Sequence, residues 1–247
     1  MKKTLNLFNL LVAAATMIGI NSAFAGQTYT DSPSDIGGVS DAAGTANFLS
    51  AEVSNTSTDL VFKLNLNGSV PATNWAKFMI GISTSATGNT PTGNGWNRPI
   101  DINSPNGGIN FWIGSWVDSG GGSNMWQYTG VAGGGGTDGL WASRSGASLL
   151  MNANQLTYTV TRASLGLTSD SDVTIYFDAF SSGGGDGDAA IDALSTSSVT
   201  MANWGDRTTI SSPLSYTVSA VPEPSSCLLM GLGLAGLAVL RRVRIKA

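Results

Sequence analysis

The feature of this chain that most restricts its fold is an alternation of apolar and polar residues with a period of two. In residues 60–66, Leu60, Phe62, Leu64 and Leu66 fall on one face of an extended strand, while Lys63 and other residues fall on the opposite face. A helix would instead need apolar residues three and four positions apart. The alternation recurs along the middle of the chain and predicts an all-β domain.

Eight segments are predicted as strands, separated by connections rich in Gly, Ser, Asn and Pro. Polar residues 55–58 join the first two strands as a hairpin, and residues 162–166 form one short helical turn. Many short strands with glycine-rich turns indicate an antiparallel β-sandwich with a jelly-roll-like arrangement. The predicted strands are 48–53, 60–66, 75–83, 109–117, 125–128, 156–161, 173–180 and 214–218.

The charge and residue types of the chain exclude several function classes. Residues 26–220 contain 6 Lys and Arg and 15 Asp and Glu, a net charge of −9, which disfavours nucleic acids and anionic membranes as partners. The chain has no His, which excludes Ser-His-Asp and Cys-His nucleophilic sites and the usual zinc sites. Its one cysteine, Cys227, lies in the C-terminal tail, so no intramolecular disulfide is expected.

The first 25 residues are predicted to be a secretory signal peptide. Lys2 and Lys3 precede a mostly apolar segment, and Ala23 and Ala25 form a small-x-small cleavage site before Gly26. The expected domain organisation is a signal peptide at 1–25, an extracellular sandwich at 26–219 and a sorting segment at 220–247.

The C-terminal tail consists of a proline-rich motif, an apolar run and a group of cations. The run of 14 residues spans about 21 Å as a helix, shorter than the hydrocarbon core of about 30 Å. Flanking basic side chains that reach the interface make up part of the difference, so a transmembrane helix is predicted. The motif is Val221, Pro222, Glu223 and Pro224; the run begins at Cys227 and ends at Leu240; the cations are Arg241, Arg242, Arg244 and Lys246.

This order of Pro-Glu-Pro motif, apolar helix and basic tail resembles the PEP-CTERM sorting signal of Gram-negative bacteria. The resemblance implies transient anchoring in the inner membrane and recognition and removal of the tail by exosortase, a membrane protease-transpeptidase. It further implies that the protein reaches the cell surface or an extracellular polysaccharide or biofilm matrix.

The middle of the chain is similar to sandwich modules of the family 9 carbohydrate-binding or DOMON type. The similarity lies in the Asp- and Gly-rich start at 31–38 and in the segments 59–66, 75–82, 95–99 and 112–118. It implies a β-sandwich, in a group whose different members bind sugars, haem or calcium. Haem is not expected here, because the chain lacks a histidine ligand.

Four tryptophans are candidate ligand-binding residues. Trp112 and Trp116 share a strand face with Gly114 between them, which leaves space for a ligand between two rings. Trp96 and Trp141 lie in polar, loop-like segments, where binding residues are common. Exposed rings of this kind stack on sugar faces. The alternative is that these rings fill the core of the sandwich.

Two groups of aspartates are candidate calcium ligands. Asp186, Asp188 and Asp192 follow a triple glycine, and Asp31 with Asp35 begins the mature domain. Calcium prefers six to eight oxygen ligands from such groups. The alternative is that these carboxylates are solvated surface acids.

An enzymatic function is not expected. Glu52 and Asp178 lie on predicted strands and are candidates for a glycosidase pair, but a sequence does not show whether two carboxylates face each other. Two functions therefore remain. One is an exported, non-catalytic surface or matrix protein without a cofactor. The other is a carbohydrate-binding module that stacks glycans on exposed tryptophans, with calcium-dependent binding as a further alternative.

Overall fold

The structure, a computed structural model, describes residues 26–37, 44–70, 75–84, 88–131, 140–168, 170–196, 199, 201–220, 231, 233 and 234. Ala23, Ala25 and nearly all of the tail lie outside these residues, so the signal peptide and the tail helix stay predictions. Within the described part of the chain, no helix is both long and apolar enough to span a bilayer.

The described residues include 14 strands and a short 3-10 turn at Arg162–Leu165. The strands are β1 Gln27–Thr30, β2 Phe48–Asn55, β3 Asp59–Leu66, β4 Lys77–Ser83, β5 Ile100–Ile102, β6 Phe111–Trp116, β7 Gly122–Tyr128, β8 Trp141–Arg144, β9 Ala147–Asn152, β10 Gln155–Thr161, β11 Val173–Ser182, β12 Ala190–Ala193, β13 Thr208–Ile210 and β14 Leu214–Val218.

The strands form two antiparallel sheets. The first sheet has the order β1-β2-β3-β10-β9, and the second has the order β12-β11-β4-β6-β7-β8. Strand β14 pairs with the first half of β11, on the same side as β12. Strands β5 and β13 pair in parallel as a separate small sheet. These sheets fit the predicted β-sandwich, although they exceed the eight strands of a simple jelly roll.

The main core lies between the two sheets. Every second residue of β3, from Leu60 to Leu66, is fully buried, as the alternation predicted. On the facing sheet, Ile80 and Ile113 belong to the same apolar cluster. A hydrogen bond of 2.6 Å between the hydroxyls of Tyr158 on β10 and Ser115 on β6 joins the two sheets inside this core.

A second core covers part of the outer face of the second sheet. Trp112 and Phe180 stack there with ring centroids 6.2 Å apart, under Ile102 of β5 and Ile210 of β13. Gly81 permits this close cover, since a Cβ atom there would lie 2.4 Å from the Ile102 side chain. The β5–β13 pair therefore acts as a lid on the sheet.

The eight predicted strands and the turn at Arg162–Leu165 are confirmed, with shifts of a few residues at their ends. Among the described residues the prediction missed β1, β5, β8, β9, β12 and β13. Strands β5 and β13 have three residues each, too few to show an alternation. The predicted loop position of Trp141 is wrong, because this residue begins β8 and pairs with Tyr128.

Candidate functional sites: an aromatic groove and a carboxylate cluster

A groove with a volume of about 510 Å³ opens on the outer face of the second sheet, next to the second core. Its aromatic walls are Trp96, Trp116 and Trp126, all half-buried. Trp116 ends β6, Trp126 lies on β7, and Trp96 comes from the loop before β5. We call this site the aromatic groove.

Three glycines make room for these three rings. A Cβ atom on Gly114 would lie 2.2 Å from the Trp96 ring, one on Gly122 would lie 2.4 Å from Trp116, and one on Gly95 would lie 2.5 Å from Trp126. Each ring thus packs directly on backbone. Trp96 packs on β6, Trp116 packs on β7, and Trp126 is approached by the loop that carries Gly95.

Charged groups border the aromatic groove. The Lys77 amine donates to Asp118 Oδ1 at 2.9 Å, and this hydrogen bond lowers the pKa of the Asp118 carboxyl. The buried Arg98 guanidinium lies 5.7 Å from the centre of the Trp96 ring. Arg98 also donates to the carbonyl oxygens of Gly183 and Gly185, so it fixes the neighbouring glycine loop beneath the groove.

The structure brings Trp96 and Trp116 together and separates them from the other two candidates. Trp112 and Trp141 are fully buried in the second core, where Trp112 stacks on Phe180 and Trp141 meets Tyr128 edge-on. A fully buried ring offers no surface to a sugar, so Trp112 and Trp141 are removed from the set of ligand candidates.

Two further aromatic features of this surface lie outside the four predicted ligand candidates, although Trp126 shares a strand face with Tyr128 in the sequence pattern. Trp126 lines the groove from β7, where it lies opposite Trp112 in the strand register. The loop that carries Gly95 lines the same groove, and the position of this loop is not readable from the sequence. Trp204, 43 % exposed, meets Trp75 edge-on at 6.4 Å. The Gly184 backbone lies against Trp75 and also lines the groove, so this pair borders the same surface.

A second site is formed by Asp31, Asp35 and Asp192, whose ligand oxygens all lie within 4.8 Å of one another. We call it the carboxylate cluster. Asp31 and Asp35 follow β1, and Asp192 lies on β12 of the second sheet. The backbone N–H of Gly37 donates to the Ile191 carbonyl at 2.7 Å, which brings the two segments together.

Hydrogen bonds satisfy one part of the cluster and leave another part without donors. Asp192 accepts from the backbone N–H groups of Phe48 and Ala193 at 2.6 and 2.8 Å. Asp31 Oδ2 and both Asp35 oxygens are buried and accept from no N–H or hydroxyl group, although the Asp31 and Asp35 carboxyls are in hydrogen-bond contact with each other. Burial, followed by the charge of Asp192, raises the pKa of Asp31, and burial, followed by the charge of Asp35, raises that of Asp192.

The comparison with protein families gives a match in the tail. Residues 220–243 match the PEP-CTERM protein-sorting motif. No curated protein matches the chain.

The PEP-CTERM match confirms the predicted sorting signal and indicates an exported protein sorted by an exosortase. It implies anchoring in a membrane before that enzyme removes the tail. The matched residues lie after β14, so the match assigns nothing to the sandwich. The similarity of the sandwich to family 9 carbohydrate-binding modules stays a prediction.

The structure divides the aspartates that were predicted as calcium ligands. Asp192 joins Asp31 and Asp35, whereas Asp186 and Asp188 lie on the glycine loop near the aromatic groove. Asp188 Oδ2 accepts from the Gly185 N–H at 2.7 Å, which holds that loop closed. The chain spacing that grouped Asp192 with Asp186 is therefore misleading, because β12 carries Asp192 away from the loop.

The two carboxylates considered for a glycosidase pair lie on different sheets. Glu52 lies on β2 and forms an ion pair of 3.5 Å with Lys63. Asp178 is fully buried on β11, where its Oδ1 accepts from the backbone N–H groups of Ala179 and Ser195. This placement gives the pair no shared cleft.

Proposed function

We propose that this exported protein is a non-catalytic component of the cell surface or extracellular matrix, and that its sandwich binds a neutral glycan along the aromatic groove. The single observation that carries the glycan proposal is the convergence of Trp96, Trp116 and Trp126 on one open groove. Export of the chain rests separately on the PEP-CTERM motif.

The aromatic walls supply the apolar part of sugar recognition. The faces of sugar rings carry C–H groups that pack on indole rings, and tryptophan offers a large rigid surface for this contact. A half-buried tryptophan keeps its position and still exposes part of its ring. Because Gly114 and Gly122 fix the orientation of Trp96 and Trp116, little conformational entropy would be lost when a sugar binds.

The charged groups supply hydrogen bonds to sugar hydroxyls. Asp118 is ionised at neutral pH and can accept a hydrogen bond from a sugar hydroxyl, while Lys77 can donate one to a hydroxyl oxygen. The net charge of −9 over residues 26–220 disfavours a polyanionic polymer. These two features together favour a neutral glycan over an acidic one.

The proposal is tested by affinity electrophoresis of the full-length chain through gels that contain the exopolysaccharide of the producing organism. Retarded migration is expected, and retardation should fall for Trp96→Ala and Trp116→Ala. The matched control is Leu150→Ala, which removes an exposed apolar side chain from β9 of the first sheet. Thermal melting of each variant checks that the sandwich is folded.

Unretarded migration of the unchanged chain through neutral and acidic polysaccharides would contradict glycan binding. An exported structural protein without a glycan ligand would then be the better description. Equal retardation of the Trp116→Ala and Leu150→Ala variants would move the binding surface away from the aromatic groove.

A further inference from the structure

We infer that the carboxylate cluster is a calcium site, which connects the segment after β1 to β12 and so joins the edges of the two sheets. This site is separate from the aromatic groove, and the inference does not depend on glycan binding. It assigns a metal to Asp31 and Asp35, which are close in the sequence, and to Asp192, which is far from them; the fold brings one ligand oxygen of each within 4.8 Å of the others.

The first argument is the lack of hydrogen-bond donors around the carboxylates. Asp35 is 7 % exposed, and neither of its oxygens accepts from an N–H or hydroxyl donor. Asp31 Oδ2 is also buried and also lacks such a donor. Buried carboxylates are normally paired or bound to a metal, since an isolated buried charge costs several kcal/mol. Among the described residues, no Lys or Arg forms an ion pair with any of the three carboxylates.

A second and independent observation comes from Asn47, which is 2 % exposed. Its Nδ2 donates to the Pro33 carbonyl at 2.9 Å, inside the segment that carries Asp31 and Asp35. The next residue, Phe48, donates its N–H to Asp192. Asn47 therefore contacts the segment that carries Asp31 and Asp35 and directly precedes the residue that binds Asp192, and its buried Oδ1 has no partner.

The orientation of this amide is fixed by its one hydrogen bond. A flipped Asn47 would place Oδ1, an acceptor, against the Pro33 carbonyl oxygen, which is also an acceptor. Oδ1 must therefore be the atom without a donor. A buried amide oxygen without a donor is a suitable neutral ligand for calcium, and its free lone pairs are accounted for if a cation binds at this cluster.

The type and number of oxygens favour calcium over other cations. Three carboxylates and one amide oxygen provide hard oxygen ligands, and the absence of His leaves no nitrogen ligand of the kind that zinc prefers. Calcium takes six to eight oxygens at about 2.3–2.6 Å in flexible geometry, so bidentate carboxylates and water can complete the shell. Magnesium demands a more regular octahedron and keeps more of its water.

The position of the site suggests its role. Strand β1 pairs with β2 at the edge of the first sheet, and β12 pairs with β11 at the edge of the second sheet. A cation bound by Asp31, Asp35 and Asp192 would hold these two edges together. The chain has no intramolecular disulfide to do this, since it contains a single cysteine.

The test is calorimetric titration of Ca²⁺ into the full-length chain after removal of metals with EDTA, together with thermal melting in Ca²⁺ and in EDTA. We expect one strong Ca²⁺ site per chain, with weaker binding of Mg²⁺. At 100 times the dissociation constant, Ca²⁺ should raise the Tm by about 5–10 °C. An unchanged Tm and no heat of binding would overturn the inference.

The variant that separates a metal ligand from a structural residue is Asp35→Asn. Neither Asp35 oxygen accepts from a backbone N–H or a hydroxyl, so this substitution costs no such hydrogen bond, its amide can donate to Asp31, and it removes one carboxyl group from the cluster. In EDTA the variant should melt no lower than the unchanged chain, whereas its Ca²⁺ affinity should fall about 10-fold or more. Asp192→Asn is less suitable, because its amide would face one of two backbone N–H donors.

The matched control is Glu52→Gln, which removes a carboxylate from β2, where Glu52 pairs with Lys63 and lies outside the cluster. Its Ca²⁺ affinity should equal that of the unchanged chain. If Asp35→Asn and Glu52→Gln bound Ca²⁺ equally well, the cluster would not be the site and the inference would be wrong. Because the glycan assay uses different residues, either proposal can fail without the other.

Discussion

The outer face of the second sheet has two halves that differ in what lies above them. In the covered half, Trp112 is fully buried under the β5–β13 pair. In the open half, Trp116 lines the aromatic groove. The two residues lie four positions apart on β6, on the same face and about 13 Å apart along the strand. Residue type, strand and face are therefore the same, and what lies above each ring decides whether a tryptophan serves as core or as a surface for a ligand.

The carboxylates of the same face repeat this contrast. Asp178, in the covered half, is fully buried and its pKa is raised to about 7, first of all by burial. Asp118, beside the open groove, has a lowered pKa because Lys77 donates to it. Burial thus favours the neutral form of Asp178, whereas the more exposed Asp118 carboxyl, with a cationic neighbour, favours the ionised form. Four substitutions test the comparison.

The largest effect is expected for Trp112→Ala. It removes a fully buried ring that stacks on Phe180, and truncation of such rings costs about 3–5 kcal/mol of unfolding free energy. Urea unfolding measures the loss. A loss below about 1 kcal/mol would show that the cover over Trp112 is loose, and the distinction between the two halves would fail.

Asp178→Asn should change how stability depends on pH. The pKa of Asp178 is raised from 3.8 to about 7, so its contribution to stability is complete below about pH 3.8 and is lost as the pH rises through about 7. The asparagine does not ionise, and its oxygen can still accept from Ala179 and Ser195. The variant should gain about 2–4 kcal/mol relative to the unchanged chain between pH 4 and pH 8.

The Asp178→Asn comparison is made by urea unfolding at several pH values, with EDTA present so that metal binding does not contribute. Parallel stability profiles for the two proteins would contradict the predicted burial of an ionisable carboxyl in the covered half.

Gly114→Ala should disturb the groove through Trp96. The added Cβ would lie 2.2 Å from the ring, so Trp96 must move, at a cost of about 1–3 kcal/mol in stability. Retardation in the glycan gels should also fall. The control is Gly205→Ala, because a Cβ at Gly205 has no atom within 4 Å. Identical melting temperatures for the two variants would argue against the close packing of Trp96 on β6.

The smallest loss of stability is expected for Trp116→Ala, about 1 kcal/mol, because the half-buried ring already contacts solvent. Its effect on glycan retardation should nevertheless exceed that of Leu150→Ala. Urea unfolding of Trp116→Ala beside Trp112→Ala gives the direct comparison. Equal losses in the two variants would make Trp116 a core residue and remove the main support for the groove.

Residues such as Leu60, Phe62 and Leu64 made the long strands predictable, because half-buried strands impose a period of two that is readable from one sequence. Strand β8 was not predictable in the same way. Trp141 is the one buried residue of this strand, and the three residues that follow it resemble a loop sequence. Short strands at sheet edges carry too few buried positions for a pattern to appear.

The sequence predicted which kinds of residue form the candidate sites. It did not predict which of these residues lie together in the folded chain. Trp96 and Trp116 were candidates from the start, but their convergence depends on a loop that folds over Gly114. Asp31 and Asp35 are neighbours in the chain, while Asp192 joins them only through the meeting of β12 with the segment after β1. Nothing in the spacing of these aspartates distinguishes Asp192 from Asp188.

The sequence by itself determined eight of the strands and the PEP-CTERM motif, because both are local patterns in consecutive residues. The tertiary structure alone decided that Trp112 is core, that Trp116 borders a groove and that Asp192 meets Asp31 and Asp35. The physical reason is that strand periodicity fixes which side chains share a face. What covers that face depends on contacts between segments that are far apart in the chain.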